Sequence, residues 1–141
     1  PVSISSWYPK FYQSLMVYYV TTVHTNEEMS KLFHPKTPFM PNFNKCDIKV
    51  LMEKNMETVD KFDRYIMKLS NGDYRMPTLF KKYLKINSKF LCFNVDPDFN
   101  DTLDGLLLLK FTDYPKDELD MMLKDIPEEN RPAYYKRFGK E

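Results

Sequence analysis

The chain has 141 residues, 43% hydrophobic and 16% aromatic, which suits one domain with one core and excludes a disordered segment. Its 21 Lys and Arg residues are interspersed with 20 Asp and Glu for a net charge of +1, so the sequence shows no nucleic-acid footprint. The only glycines, Gly72, Gly105 and Gly139, stand far apart, which excludes the glycine-rich turn that commonly cradles nucleotide or coenzyme phosphates.

Residues 2–6 have the composition of the tail of a strand. A strand at the first residue, with Pro1 in place of methionine, gives the expectation of a piece of a longer protein. From Pro9 to Val23, Phe11, Tyr12, Leu15, Met16, Tyr19 and Val23 follow helical spacing, with Pro9 at a favoured first-turn position. Thr25-Asn-Glu-Glu28 is a capping-box signature and predicts a short helix through Leu32–Phe33, with Glu27 paired to Lys31. Residues 34–45, with three prolines, predict an extended loop whose Phe39, Met40 and Phe43 pack down or form a docking surface.

Asp47–Glu53 is ambiguous between a strand and a helical turn. Met56, Val59, Phe62, Tyr65, Ile66 and Leu69 predict an amphipathic helix stopped at Asn71-Gly72. Met76-Pro77 opens another helix, with Leu79, Phe80, Tyr83 and Leu84 apolar and Lys81, Lys82 and Lys85 opposite. Lys89–Asn94 predicts a buried strand, and Leu106–Phe111 a central strand covered on both faces. Asp96–Gly105 between them is turn chemistry, and helices follow at 117–124 and from Pro132. No repeat or flexible linker divides residues 1–141.

The apolar runs are too short to cross a bilayer, and no signal peptide is evident. Cys46 and Cys92 match no compact disulfide framework, which points to reduced thiols in an intracellular protein. Neither has a local histidine partner for nucleophilic chemistry. His24 and His34 lack ligand-spaced partners for zinc. The loop from Asp96 mimics the start of a calcium-binding EF-hand but has Asp101 where glycine belongs and Leu107 where glutamate belongs, so no metal is expected.

Three segments, Met76-Pro-Thr-Leu-Phe-Lys-Lys-Tyr-Leu-Lys85, Phe93-Asn-Val-Asp-Pro-Asp-Phe-Asn100 and Leu103-Asp-Gly-Leu-Leu-Leu108, resemble the C-terminal half of bacterial GNAT-type lipid N-acyltransferases. These are the ornithine-lipid and glycine-lipid synthases, also described as hemolysin-like. The likeness spans about residues 1–113, is closest over 76–109, looser over 1–41 and loosest over 46–70. It implies an α/β (α+β) fold: the C-terminal portion of a GNAT-like mixed sheet with flanking helices and the last two strands antiparallel. It also implies transfer of a fatty, often 3-hydroxylated, acyl group from acyl carrier protein or acyl-CoA to an amino-acid amine in aminolipid biosynthesis. The setting implied is cytoplasmic, with peripheral contact at the inner membrane.

The family's phosphate-cradling turn has no counterpart here, so the chain alone is not expected to catalyse and carries no cofactor of its own. Asp96, Phe99, Asn100 and Asp104 match the family's acidic turn. One reading has a carboxylate binding or deprotonating the acceptor amine. The other has Asp96 and Asp104 fixing turn backbone while Phe99 plugs the core. Trp7 and Tyr8 are candidates for an acyl channel, with ordinary packing the alternative. Lys81, Lys82 and Lys85 are candidates for a surface that meets a carrier protein or anionic lipid. The rival function is a non-catalytic interaction domain binding a carrier protein or membrane surface.

Overall fold

A three-stranded antiparallel sheet, β1 (Val2–Ile4), β2 (Lys89–Asp96) and β3 (Thr102–Leu108), organises the chain in the order β1-β3-β2. The computed structural model describes residues 1–43 and 45–140; the side chains of 45–47 and 51 lie outside that description, and with them the Cys46 part of the thiol expectation. Between β1 and β2 run five helices: α1 (Lys10–Val23), α2 (Glu27–Ser30), α3 (Lys45–Met52), α4 (Val59–Leu69) and α5 (Thr78–Lys85). After β3 come α6 (Lys116–Met122) and α7 (Arg131–Arg137). The architecture is mixed α and β with an open sheet and flanking helices. No helix among the described residues is long and apolar enough to cross a membrane.

The strand at the N-terminus finds its partner at the other end of the sheet. Val2 pairs with Gly105 and Ile4 with Leu103, which makes β3 central. β2 and β3 pair from Lys89↔Leu108 to Asp96↔Thr102, with an irregularity between Phe90 and Cys92 that leaves Leu91 without a register partner. The turn expected over Asp96–Gly105 is shorter: Pro97–Phe99 form a single 3-10 turn, and β3 begins at Thr102. Leu103 and Gly105 are buried, but Leu106–Leu108 are half-buried, so cover thins along β3 rather than closing over both faces.

Gly105 belongs to the sheet, not the turn. A Cβ there would stand 2.6 Å from Phe90 Cε1 and 3.0 Å from Phe93 Cε1. The missing side chain lets the two rings stack, 2° from parallel at 5.4 Å, directly against the central strand. Phe80 of α5 stacks on Phe90 at 4.7 Å and carries the core onward to the helices.

The helices follow the apolar spacing, with tertiary contacts setting their ends. α1 buries Leu15, Met16, Tyr19 and Val20, while Phe11 and Val23 are over a third exposed. It also buries Gln13 and Ser14, which bond the backbone of Ser5, Lys10 and Asn42. The cap of α2 is Asn26, accepting from the Met29 N–H, and not Thr25, whose hydroxyl donates across to the Phe90 carbonyl. α2 stops at Ser30, short of Leu32, and Glu27 forms no ion pair with Lys31 among the described residues. The ambiguous stretch over 47–53 is helical within α3 as far as Met52, with Glu53 in the turn that follows. α4 starts behind a Thr58 cap and ends with the Gly72 N–H reaching the Met67 carbonyl, Asn71 and Gly72 both having positive φ.

The Pro-rich loop lies along the outer edge of β2. The Val95 N–H donates to the Thr37 carbonyl at 2.8 Å, and the Thr37 N–H donates to Asn94 Oδ1 at 2.8 Å. Phe39 and Phe43 pack on the core, whereas Met40 is exposed. Residues past Tyr114 build a small cluster of their own, with Leu119 and Leu123 buried and Phe138 edge-on to Phe111.

Candidate functional site

The acidic turn and the end of β1 are drawn together at one rim of the sheet. After Ile4 the chain turns tightly, the Tyr8 N–H closing on the Ser5 carbonyl at 3.1 Å, and enters α1 through Pro9. Opposite, Asn100 donates from Nδ2 to Ser6 Oγ at 3.1 Å, which ties the turn between β2 and β3 to that corner. Asn100 and Asp101 adopt left-handed φ of 55° and 52°, a conformation that short polar side chains tolerate best among non-glycine residues. The Pro-rich loop closes a third side. The result is a groove of about 420 Å³ with Ser6, Tyr8 and Lys10 on one wall and Asp101, Leu103 and Phe39 around the rest.

Tyr8 is the groove's anchored aromatic. Its hydroxyl donates to the Arg75 carbonyl at 2.9 Å, its ring packs on Tyr74, and burial, then the Asp63 charge, raise its pKa. Trp7, the other channel candidate, does not line the groove and is 85% exposed. Lys10 lies 5.8 Å over the Phe39 ring, a cation–π contact that stiffens the loop wall.

Each member of the acidic turn has a definite place. Asp96 accepts from the Asp98 N–H at 3.0 Å, an Asx turn that starts the 3-10 segment. Asp104 accepts from Ser3 Oγ at 2.5 Å, linking β3 to β1. Phe99 is 71% exposed, so it does not plug the core. The carboxylate that faces the groove is Asp101, which the sequence pattern passed over.

The lysine face expected on α5 is not a free cationic surface. Lys81 Nζ turns inward to Asp63 Oδ2 at 2.7 Å with only 20% of its side chain exposed, and Lys85 pairs with Asp60 at 3.0 Å. Lys82 alone of the three is exposed without an ion pair among the described residues. Asp63 escaped sequence reading altogether. It is buried within α4 and also accepts from Arg75 Nη2 and the Met76 N–H.

Neither histidine joins the groove. His24 caps α1, its Nε2 lying 3.2 Å from the Tyr19 hydroxyl. Burial, then the Lys89 charge, lower its pKa to about 4, so it is neutral at pH 7. Burial pushes the Cys92 thiol up, away from the thiolate a nucleophile needs. A larger concavity of about 630 Å³ lies on the solvent side of α4, where Lys61, Arg64 and Lys68 give it one sign of charge. The groove beside the acidic turn differs in offering both signs next to apolar walls, the mixture that orients a small polar substrate.

No family model, curated protein or solved structure matches this chain.

Proposed function

We propose that the chain is the C-terminal, acceptor-side part of a GNAT-like N-acyltransferase, which moves a fatty or 3-hydroxy-fatty acyl group from acyl carrier protein to an amino-acid amine. The observation that carries this reading is the groove, where an anchored aromatic, an apolar wall and a turn carboxylate meet beside a strand that runs into α1. The two closing strands are antiparallel, as the resemblance implies, and β1 pairs on one edge only among the described residues, which fits a sheet continued by a further strand. In the step proposed, the neutral amine nitrogen bonds to the thioester carbonyl carbon and the carbon–sulfur bond breaks. The sulfur leaves with the electron pair and takes up the proton that the nitrogen gives up. A carboxylate beside the amine assists by accepting that proton on its way.

The donor's phosphate is a different matter. Gly72 and Gly139 stand singly behind α4 and α7, and Gly105 lies under two phenyl rings, so the described residues hold no glycine-rich turn for the donor's phosphate. No residue here is assigned to it. A soluble carrier as donor places the reaction in the cytoplasm, with the lipid product drawing the enzyme to the inner membrane.

One observation favours a second reading, a non-catalytic module that binds a carrier protein or membrane surface. Leu79, Met121 and Met122 are each more than half exposed around a groove of about 540 Å³ that Lys82 also lines. The two readings separate in one assay. The full natural gene product is incubated with 3-hydroxyacyl carrier protein and glycine, ornithine, serine or lysine, and N-acyl products are sought by mass spectrometry. An N-acyl amino acid forming from one acceptor supports the enzyme. Failure across all acceptors, with retention on carrier protein or anionic vesicles, supports the module.

A further inference from the structure

Lys10 and Asp101 present opposite charges to the same groove without closing on each other. Neither forms an ion pair among the described residues. Lys10 stands in the first turn of α1, a helix of 14 residues whose N-terminus has no acidic residue and no side-chain cap. Its orphan N–H groups and the helix dipole therefore add to the positive side of the groove. Asp101 is held by the left-handed turn that Asn100 pins to Ser6. The other turn carboxylates that the sequence singled out already have partners, Asp96 on the Asp98 N–H and Asp104 on Ser3. Of the other polar groups of the wall, Gln13 and Tyr8 spend their donors on the carbonyls of Ser5 and Arg75, and Ser6 Oγ accepts from Asn100 Nδ2. Two unlike charges on one small groove, neither in an ion pair among the described residues and Lys10 meeting only the face of the Phe39 ring, fit a ligand that carries both.

We infer that Lys10 and Asp101 form a clamp for a free α-amino acid. Asp101 takes the α-ammonium, Lys10 with the first turn of α1 takes the α-carboxylate, and Phe39 and Leu103 border the side chain. The role of this ligand as acyl acceptor rests on the acyltransferase reading; its binding needs no donor and is tested without one. The clamp selects zwitterions against simple amines, because an amine lacking the carboxylate leaves Lys10 unanswered.

Isotope-labelled protein is titrated by NMR with glycine, L-ornithine, glycinamide and ethylamine. The expected result is saturable shifts confined to residues 6–13, 38–40 and 95–103 with the two amino acids, and binding of glycinamide and ethylamine weaker by about tenfold. Lys10→Met and Asp101→Asn each weaken glycine by a similar factor, while Lys10→Arg and Asp101→Glu keep part of the affinity. Equal binding of glycine and glycinamide, shifts elsewhere, or wild-type affinity in both neutral variants overturns the clamp. If the zwitterions bind as described but no acyl transfer is found, the clamp stands and the acyltransferase reading falls. If transfer occurs with an unchanged KM for the acceptor in both neutral variants, the clamp falls and the acyltransferase reading stands.

Discussion

The Asp63 carboxylate and the Lys81 ammonium meet at 2.7 Å and join α4 to α5 inside the fold. The same oxygen accepts from Arg75 at 2.9 Å, and the second oxygen accepts from the Met76 N–H at 2.8 Å. Asp63 thus fixes the extended segment between the two helices as well as their relative position. That segment supplies the Arg75 carbonyl on which Tyr8 of the groove is anchored.

Removing the acid leaves a partly buried ammonium and an unanswered N–H. Asp63→Ala should lower stability by about 3 kcal/mol, the low end for a broken buried pair, because Lys81 keeps 20% of its side chain exposed. Lys81→Met should cost less, since Arg75 remains to answer the carboxylate. The Asp63 pKa is pulled in opposite directions. Burial alone would raise it, but Lys81, the Met76 N–H and Arg75 outweigh burial and hold it below the usual carboxylate value of 3.8. A depressed folded pKa gives stability that is fully present above the unfolded value and is lost as pH falls through the folded one. Urea midpoints measured from pH 6 downward should show that acid limb in the wild type and a shallower one in Asp63→Asn.

Gly105 is tested by adding one methyl group. The Cβ of Gly105→Ala would meet Phe90 Cε1 at 2.6 Å and Cδ1 at 2.9 Å, so a ring stacked between Phe80 and Phe93 must move. The expected cost is about 1–3 kcal/mol by urea denaturation. Phe90→Leu in the same chain should recover part of that loss. Strict additivity of the two changes would show that the ring is not what the methyl group meets.

Much of the fold was legible because its signals are local. The spacing of Phe62, Ile66, Phe80 and Leu84 marks α4 and α5, and Asn71-Gly72 marks the stop between them. Where two residues compete for one role, a distant partner decides. Thr25 and Asn26 are both competent caps, and the cap fell to Asn26 because the Thr25 hydroxyl reaches the Phe90 carbonyl, 65 positions along the chain. The lysine face misled for a similar reason. Periodicity sets Lys81 off the apolar stripe of α5, but its partner Asp63 sits on the buried face of α4, where an acid between apolar neighbours gives no sign of what will answer it. The groove is assembled from residues 6–13, 38–40 and 95–103, so no local pattern announces it. Within the acidic turn, the motif drew attention to Asp96 and Asp104, while left-handed backbone aims Asp101 into the space.

His24 gives a second, separable pH response. Its pKa is lowered from 6.5 to about 4 by burial and then by Lys89, so on acidification the unfolded chain takes the proton first. Its contribution is complete above pH 6.5, falls as pH drops toward 4 and is flat below that. The full loss is on the order of 3 kcal/mol, reduced where solvent reaches the half-buried ring. His24→Gln should flatten stability between pH 6.5 and 4 and leave the more acidic Asp63 limb in place. An imidazole titrating near its ordinary value by NMR would remove the basis for this window.

The acidic turn allows its structural and chemical roles to be told apart. Asp104 accepts from Ser3 Oγ across the β1–β3 pair, and Asp96 accepts from the Asp98 N–H at the start of the turn. If these bonds are their whole contribution, Asp104→Ala should cost about 1 kcal/mol, and Ser3→Ala should cost less on its own and nothing further in the double variant. Asp96→Asn keeps an acceptor for the Asp98 N–H and should be close to neutral in stability. Acyl transfer in the full natural gene product provides the other axis. Asp96→Asn and Asp104→Asn should retain turnover near wild type, whereas Asp101→Asn should raise KM for the amino acid. A fall in turnover of tenfold or more in Asp104→Asn, without loss of stability, would instead put its carboxylate at the acceptor amine and make the tie to Ser3 secondary.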